Sequence, residues 1–497
     1  MDSKRHRLLV KAPSVGAILY QAIALSEELM SFKEGEYPPA TYQIRNVLLC
    51  IVDFARRELT KILVPTKPYS DERDLEFART RELAKILHAI YVNIRFLRAS
   101  SQFHCPLGIQ SVISALARRH MPNTPGTEPI CLVRAQPVYN AQYYKPVEWL
   151  LKPYTDFWDP QGDLGRQRIS PEDMLQILWD QWQQHSPEAK LLRVGKIAPR
   201  PVSVISFAGL DDHDALLYPI LLTHELAHFV AFSQPISLDK KINIRPALDA
   251  LLKQKSISDN EIDRQEKMIN ICLRELTADL LAVRMMGFSF FFAQAEFLKT
   301  VRSWRRGSLI IRDTGYPENH FRLAVVLAQL LNQNQAWNIR SFFEDAQKTH
   351  PVESRLLLSI LKEWEHELLD LNSVRSLARI PSSSPSTYQG FNDQVASQIL
   401  HRILPDFIRH ICEIIPDEKC PHLSKSFFQR IERLCERKPP YLPGDSVESF
   451  SEIMSAAWAY QLIHGEISEE KLGEPEKMFK EYNQICELVR DAVDKFA

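Results

Sequence analysis

Thr223-His224-Glu225-Leu226-Ala227-His228-Phe229-Val230 reads HExxH within a mostly apolar run, Ala215 to Phe232, whose only acid is Glu225. Positions i and i+4 of a helix lie on one face, so His224 and His228 can each direct an imidazole nitrogen at one metal ion. Glu225 sits about 100° round the same helix, from where its carboxylate reaches a water bound to that ion. The stretch therefore predicts a buried helix with two metal ligands and an adjacent general base. The alternative is a pair of helix histidines without a metal.

A third ligand is expected downstream, because catalytic zinc sites usually have three protein ligands. Apolar residues recur at helical spacing from Arg264 to Met286, and Glu275 and Asp279 share one face of this second helix. We predict that Glu275 binds the metal and that Asp279 accepts the outer N–H of a ligating histidine, which fixes the tautomer of that ring. The alternative is a solvated acidic face, which the apolar residues around the pair disfavour.

HExxH followed by ExxxD on a second helix resembles the gluzincin branch of the zincin metallopeptidases. The resemblance covers about residues 202 to 330. It implies one role for each matching position: zinc ligands at His224, His228 and Glu275, a general base at Glu225, and an orienting carboxylate at Asp279. Residues 229 to 274, which separate HExxH from ExxxD in this chain, form a longer interval than the corresponding segment of the thermolysin-like pattern. The third-histidine extension of the related metzincins is absent after the motif.

A strand is predicted just before the motif helix. Pro201 to Gly209 mixes β-branched, apolar and small polar residues, and an aspartate-rich turn follows it. The resembling family has an edge strand here that pairs with the substrate backbone. This implies substrate binding at Val204, Ser206 and Ala208. A strand that only covers the helix is the alternative.

The segment after the second helix contains side chains that can donate hydrogen bonds to the oxyanion of the reaction intermediate. Pro317 suits a helix start, and this helix is expected to run through Leu331. The resemblance implies a histidine or tyrosine outside the ligand set that stabilises the oxyanion. His320 is the first candidate, Tyr316 the second and Arg322 the third. For His320, the alternative is a role in capping or packing the helix.

The composition is that of an ordinary globular protein, 45% apolar and 25% charged over 497 residues, with a formal charge of −1. The balanced charge argues against nucleic acid or an anionic membrane as partner. No apolar stretch reaches the ~18 residues of a membrane span, and the basic N-terminus leads into an amphipathic helix unlike a signal peptide. The eight cysteines are mostly far apart in the sequence, and we predict that they are free thiols. These features predict a cytoplasmic protein.

The predicted fold class is mainly α (α+β), in three regions. Residues 1–125 form a helical N-terminal domain, and residues 126–335 form a zincin-like core with a small, mostly antiparallel sheet. Residues 336–497 form a helical C-terminal region, with a mobile loop at 380–390. Besides the motif helix, helices are predicted at 15–32, 42–63, 71–97, 107–119, 170–185, 264–286 and 317–331, within 336–371, and near 390–415, 424–437, 447–464 and 472–495.

Together these features predict a zinc-dependent intracellular peptidase that hydrolyses peptide bonds with a metal-activated water and a glutamate base. An endopeptidase is favoured over an exopeptidase. The expected partners are a protein or peptide substrate and a regulatory protein, without nucleic acid or membrane. Two alternatives stay open: a helical regulatory or interaction protein with an inactive or structural HExxH site, and a metal-dependent hydrolase of a non-peptide amide or ester.

Overall fold

The computed structural model of this chain is mainly helical, as predicted. It describes residues 3–33, 35–63, 73–98, 100, 107–120, 130–136, 142–144, 150–151, 170–192, 202–208, 212–232, 244–252, 259–301, 317, 319–331, 338–369, 403–404, 406–464 and 475–496. In these segments, no helix is both long and apolar enough to cross a membrane. The predicted loop at 380–390 lies outside the described residues.

Two compact units divide the chain. Unit 1 comprises Met1–Gln110 and Asn123–Leu210, and unit 2 comprises Ser111–Pro122 and Asp211–Ala497. This division differs from the three predicted regions in two ways. Residues 126–335 are divided between the two units, and residues 336–497 belong to the same unit as residues 211–335. The physical reason is that the C-terminal helices pack against the helices that follow residue 211 and share their core.

Unit 1 is built mainly from long helices. In chain order the helices of the N-terminal half are α1 (Ser3–Met30), α2 (Pro39–Leu63), α3 (Arg73–Arg98), α4 (Leu107–His120), α5 (Pro171–His185) and α6 (Pro187–Leu191), with α4 crossing the division between the units. Helix α2 packs against α1, α3 and α5, and its apolar side chains are buried on several sides. Ser170 caps α5 by accepting the backbone N–H of Asp173 at 3.0 Å. The four N-terminal helices and the capped helix at 170–185 are therefore confirmed.

A three-stranded mixed sheet also belongs to unit 1. Its strands are β1 (Ile130–Gln136), β2 (Gln142–Tyr144) and β3 (Val202–Ala208), in the order β1-β3-β2. Strand β3 pairs in parallel with β1 over seven residues and antiparallel with β2 over three. The strand predicted at 201–209 is confirmed, but the longer pairing among the described strands is parallel, so this part of the sheet is not mostly antiparallel.

The central place of β3 overturns the prediction of an edge strand. Val204 and Ser206 have a paired strand on both sides, so their backbone is not free to bind an extended peptide. Ala208 pairs with Gln136 of β1 and lies beyond the end of β2. The alternation of residues in a strand does not reveal its neighbours, which is why the sequence left this open.

Unit 2 contains the motif helix and most of the remaining helices. They are α7 (Tyr218–Phe232), α8 (Arg245–Leu252), α9 (Asp259–Met286), α10 (Phe288–Val301), α11 (Asn319–Leu330), α12 (Ile339–Ala346), α13 (Pro351–Leu369), α14 (Ser426–Cys435), α15 (Phe450–His464) and α16 (Pro475–Asp494). Residues 406–414 are also helical. Helix α7 packs along α9, and α10 packs against α7 and α15. Helices α8 and α10 are absent from the predicted set.

Helix α15 anchors the start of the motif helix. The Trp458 indole N–H donates to the carbonyl of Leu216 at 2.8 Å, in the 3₁₀ turn that immediately precedes α7. Trp458 also stacks on Phe292 of α10, with ring centroids 6.3 Å apart. A buried indole with a hydrogen-bond partner fixes both its ring and the group it contacts. The C-terminal region is thereby part of the framework that holds the HExxH helix.

Arg430 holds the turn that follows α14. Its guanidinium donates to both oxygens of Asp445 at 2.6 Å and to the carbonyl of Pro440 at 2.7 Å. Its Nε lies 3.2 Å from Glu452. The Arg430 side chain is almost fully buried, and those of Asp445 and Glu452 are largely buried. The turn is therefore fixed to α14 and α15 by a buried ionic network.

Replacing Arg430 with glutamine is expected to lower the free energy of unfolding by about 3–5 kcal/mol, because two carboxylates would stay buried without their cation. Arg409, in an exposed pair with Asp406, provides the control, and Arg409→Gln should change stability by less than ~1 kcal/mol. Urea unfolding followed by tryptophan fluorescence measures both changes. Equal stabilities of the two variants would contradict the prediction.

Candidate metal centre

Helix α7 is buried except for one narrow face, which is partly exposed to solvent. From Tyr218 to Ala231 every residue is buried except His224, His228 and Ala231, which follow one another at helical spacing on one face. A helix with apolar residues on all of its faces is typical of a protein core. In α7, His224 and His228 are the only polar residues that are not buried. The local sequence thus places two imidazoles side by side, with ring centroids 4.9 Å apart.

Glu275 of α9 faces both imidazoles. Its Oε2 lies 3.5 Å from Nε2 of His224, and its Oε1 lies 3.7 Å from Nε2 of His228. Ligand atoms of these three residues all lie within 4.8 Å of one another. The structure therefore brings together the three predicted ligands across the long interval between their helices.

The spacing of these atoms suits a shared cation better than direct hydrogen bonds. An N–H···O hydrogen bond spans about 2.7–3.2 Å, which is shorter than either carboxylate–imidazole distance. Ligands about 2.0–2.2 Å from a tetrahedral zinc ion lie about 3.4 Å from one another. All three side chains are partly exposed, so water can reach the space between them. The donor types and spacing of these three residues thus fit a zinc ion.

Asp279 occupies the other side of His224. Its Oδ1 lies 3.0 Å from Nδ1 of the imidazole, and the carboxylate is fully buried. With a proton on Nδ1, the ring directs the lone pair of Nε2 toward Glu275 and His228. Asp279 thus lies where its predicted orienting role requires it, one turn after Glu275, although the angles of the contact fall outside those of a hydrogen bond.

Arg322 of α11 completes the group. Its Nε donates to Oδ2 of Asp279 at 2.7 Å, and its Nη2 donates to Oδ1 at 2.8 Å. The same Nη2 lies 3.9 Å from Glu275. From the sequence, Arg322 is only the third candidate for an oxyanion donor, and its ion pair with Asp279 was not predicted. The available signal was the apolar surroundings of Asp279, because a buried carboxylate needs a cationic partner.

The charges of the centre are strongly coupled. Burial opposes a charge on His224, but the Asp279 and Glu275 carboxylates outweigh it and raise the pKa of this imidazole to about 10. Burial and the neighbouring His224 lower the pKa of His228 to about 4. Burial also disfavours the ionised carboxylates, yet Arg322 and His224 hold the pKa of Asp279 well below its usual range. The raised pKa of His224 means that a metal ion competes with a proton for this imidazole.

The net charge of the centre with neutral imidazoles favours a divalent cation. Among the described side chains in contact here, the carboxylates of Glu275 and Asp279 face the guanidinium of Arg322, which leaves one net negative charge on these three groups. Glu225 is a buried residue beside His224 on α7. A net negative charge in a largely buried site is costly, and a bound metal cation offsets it.

Two further candidates cannot be placed against the centre. His320 is partly exposed in the first turn of α11, and Tyr316 lies outside the described residues. Their proposed contact with an oxyanion stays a prediction. The helix that carries His320 begins at Asn319 and ends at Leu330, which confirms the helix predicted after Pro317.

A separate cleft of about 760 Å³ lies elsewhere in unit 2. The residues that line it include Phe288, Phe342, Pro421 and Ser455. None of the five side chains of the metal centre lines it. The centre and this cleft are thus different features of the unit.

The chemistry of the centre rests on five contacting side chains from three helices: His224 and His228 from α7, Glu275 and Asp279 from α9, and Arg322 from α11. Donor types, spacing and charge all suit a divalent metal. No protein-family model, curated protein or solved structure matches this chain.

Proposed function

We propose that this chain is a zinc-dependent peptidase of the gluzincin type. The observation that carries the proposal is the open triangle formed by His224, His228 and Glu275, with carboxylate–imidazole distances of 3.5 and 3.7 Å. Three protein ligands with a fourth position open to water are the usual arrangement of catalytic zinc, whereas structural zinc sites have four protein ligands.

The donor types favour zinc over other common cations. Calcium and magnesium prefer oxygen ligands only, and each takes six or more of them. Two imidazoles and one carboxylate suit zinc, and in this proposal the Asp279 carboxylate, 3.0 Å from Nδ1 of His224, orients that imidazole when the metal is bound. Copper and nickel also accept imidazole ligands, so metal identity has to be measured on purified protein.

Glu225 is the general base in the proposed reaction. A zinc ion in this site would lower the pKa of a bound water toward ~7 and polarise a carbonyl. Glu225 follows His224 on the same helix and accepts a proton from the attacking water. It then passes that proton to the leaving nitrogen of the peptide bond. His320 and Tyr316 remain the candidates for stabilising the oxyanion.

We further propose a protein or peptide substrate inside the cell, cut within its chain. Of the six cysteines whose side chains the structure describes, all are free thiols and four are buried, which supports a reducing compartment. The substrate backbone does not pair with β3 at Val204 and Ser206 in this proposal, because both positions are already paired. We also propose that a regulatory protein binds the helical N- and C-terminal regions of the chain.

Metal analysis and peptide digestion together test the proposal. Purified protein is expected to hold about one zinc ion per chain and to cut a peptide library at internal bonds. A zinc chelator should stop the cutting, and added zinc should restore it. Protein that contains well under one zinc ion after careful preparation, and that binds none when zinc is added, would contradict the proposed metal site. Zinc-loaded protein that cleaves esters or small amides but no peptide in the library would instead point to a non-peptide hydrolase.

A further inference from the structure

We propose that Arg322 is a positioning residue of the metal centre, which holds the Asp279 carboxylate in the orientation that directs His224 toward the metal. The inference rests on the proposed metal site. It assigns a function to a third helix, α11, which the HExxH and ExxxD motifs do not include.

The contacts of Asp279 show how the orientation is fixed. Oδ1 accepts from Nη2 of Arg322 at 2.8 Å and lies 3.0 Å from Nδ1 of His224. Oδ2 accepts only from Nε of Arg322 among the described contacts, at 2.7 Å. Two parallel N–H···O bonds define the plane of a carboxylate, which a single bond does not. Rotation of Asp279 away from His224 would break both bonds to Arg322.

Burial makes this support necessary. The Asp279 side chain has no exposed surface, and that of Arg322 is 12% exposed. A buried carboxylate without a partner loses several kcal/mol of solvation, so it tends to move toward water or toward the nearest cation. In this centre the nearest cation would be the metal itself. Arg322 therefore keeps Asp279 as a partner of His224 instead of a competing ligand.

The geometry requires arginine in particular. The planar guanidinium fork matches the two carboxylate oxygens, whereas a lysine ammonium is a single point charge on a flexible stem. Lysine at this position would keep the positive charge and lose the fixed plane. A comparison of lysine with glutamine at position 322 thus separates the effect of charge from the effect of geometry.

Zinc affinity of the full-length protein is the first measurement, made by competition with a chelator of known affinity. Arg322→Gln is expected to weaken zinc binding about 10–100-fold, the range seen when outer partners of metal-ligating histidines are removed. Arg322→Lys should regain only part of that loss. Arg340→Gln, which breaks a partly exposed pair with Glu365 in the same unit, is the control and should bind zinc as the wild type does.

Two readouts distinguish positioning from general damage. The visible absorption of Co²⁺-substituted protein reports the ligand geometry, and it should change in both Arg322 variants while thermal unfolding stays cooperative. The imidazole ¹⁵N shifts of metal-free protein should show that the His224 tautomer is less uniform. If Arg322→Gln does not fold, Arg322→Lys decides the question by the same two measurements.

The outcomes separate this inference from the proposed function. Wild-type protein that binds no zinc would overturn the metal site and this inference with it. Wild-type protein that binds zinc, together with Arg322 variants of unchanged affinity and unchanged Co²⁺ spectrum, would overturn only the role of Arg322. Weakened affinity with an altered Co²⁺ spectrum in folded variants would support it.

Discussion

Replacing Glu225 with glutamine is expected to leave zinc bound and to lower peptide hydrolysis by about 10²–10⁴-fold. That is the range attributed to a positioned general acid–base group. Glutamine has the same shape as glutamate and keeps the helix packing, but its amide cannot accept a proton from water at neutral pH. Glu225 is not one of the three clustered ligand residues, so the metal content should not change.

The measurement is cleavage of a peptide found in the library digest, with zinc content determined on the same preparation. Glu363→Gln, which alters an exposed glutamate of α13, is the matched control and should retain wild-type activity. A fully active Glu225→Gln protein would rule out Glu225 as the base. Loss of both zinc and activity would mean instead that this carboxylate helps to hold the metal.

Replacing Glu275 with alanine is expected to weaken zinc binding by at least about 100-fold, the upper end of what outer partners contribute, because Glu275 is itself a proposed ligand. The variant keeps two imidazoles, which fall short of the three protein ligands usual in catalytic zinc sites. Removing the carboxylate also takes away one of the negative charges that favour a dication in this site.

Chelator competition on the Glu275→Ala protein tests this expectation directly. Glu266 lies on the same helix in a partly exposed ion pair with Arg245, so Glu266→Ala controls for the loss of a carboxylate from α9. It should bind zinc with wild-type affinity. Unchanged affinity in Glu275→Ala would show that the metal, if bound, has a different third ligand.

Much of the centre could be predicted from sequence because its spacings are local. His224 and His228 lie one helical turn apart, and so do Glu275 and Asp279, so helical periodicity alone puts each pair on one face. The apolar surroundings of both segments indicated that the helices are buried. The approach of Glu275 to the imidazoles was also predicted, because catalytic zinc sites usually have three protein ligands and the second helix carries a pair of carboxylates on one face. The resemblance to the gluzincin pattern implied the same ligand.

Other features could not be read from local patterns. Whether β3 is central or at an edge depends on which strands pair with it, and neither neighbour is adjacent in sequence. The Arg322–Asp279 ion pair connects two helices, and the periodicity within each helix does not predict how the two helices pack against each other. The boundary between the compact units follows from which apolar faces share a core, and α15, α16 and the motif helix do so in unit 2.

The sequence by itself determined most of the helices and the local pairing of chemical groups on them, since helix geometry repeats every 3.6 residues whatever the tertiary environment. Only the tertiary structure decided that α7, α9 and α11 bring His224, Glu275 and Arg322 to one place. It also decided that Asp279 has no access to water. Those outcomes depend on the packing of residues far apart in the chain, and packing is a property of the whole fold.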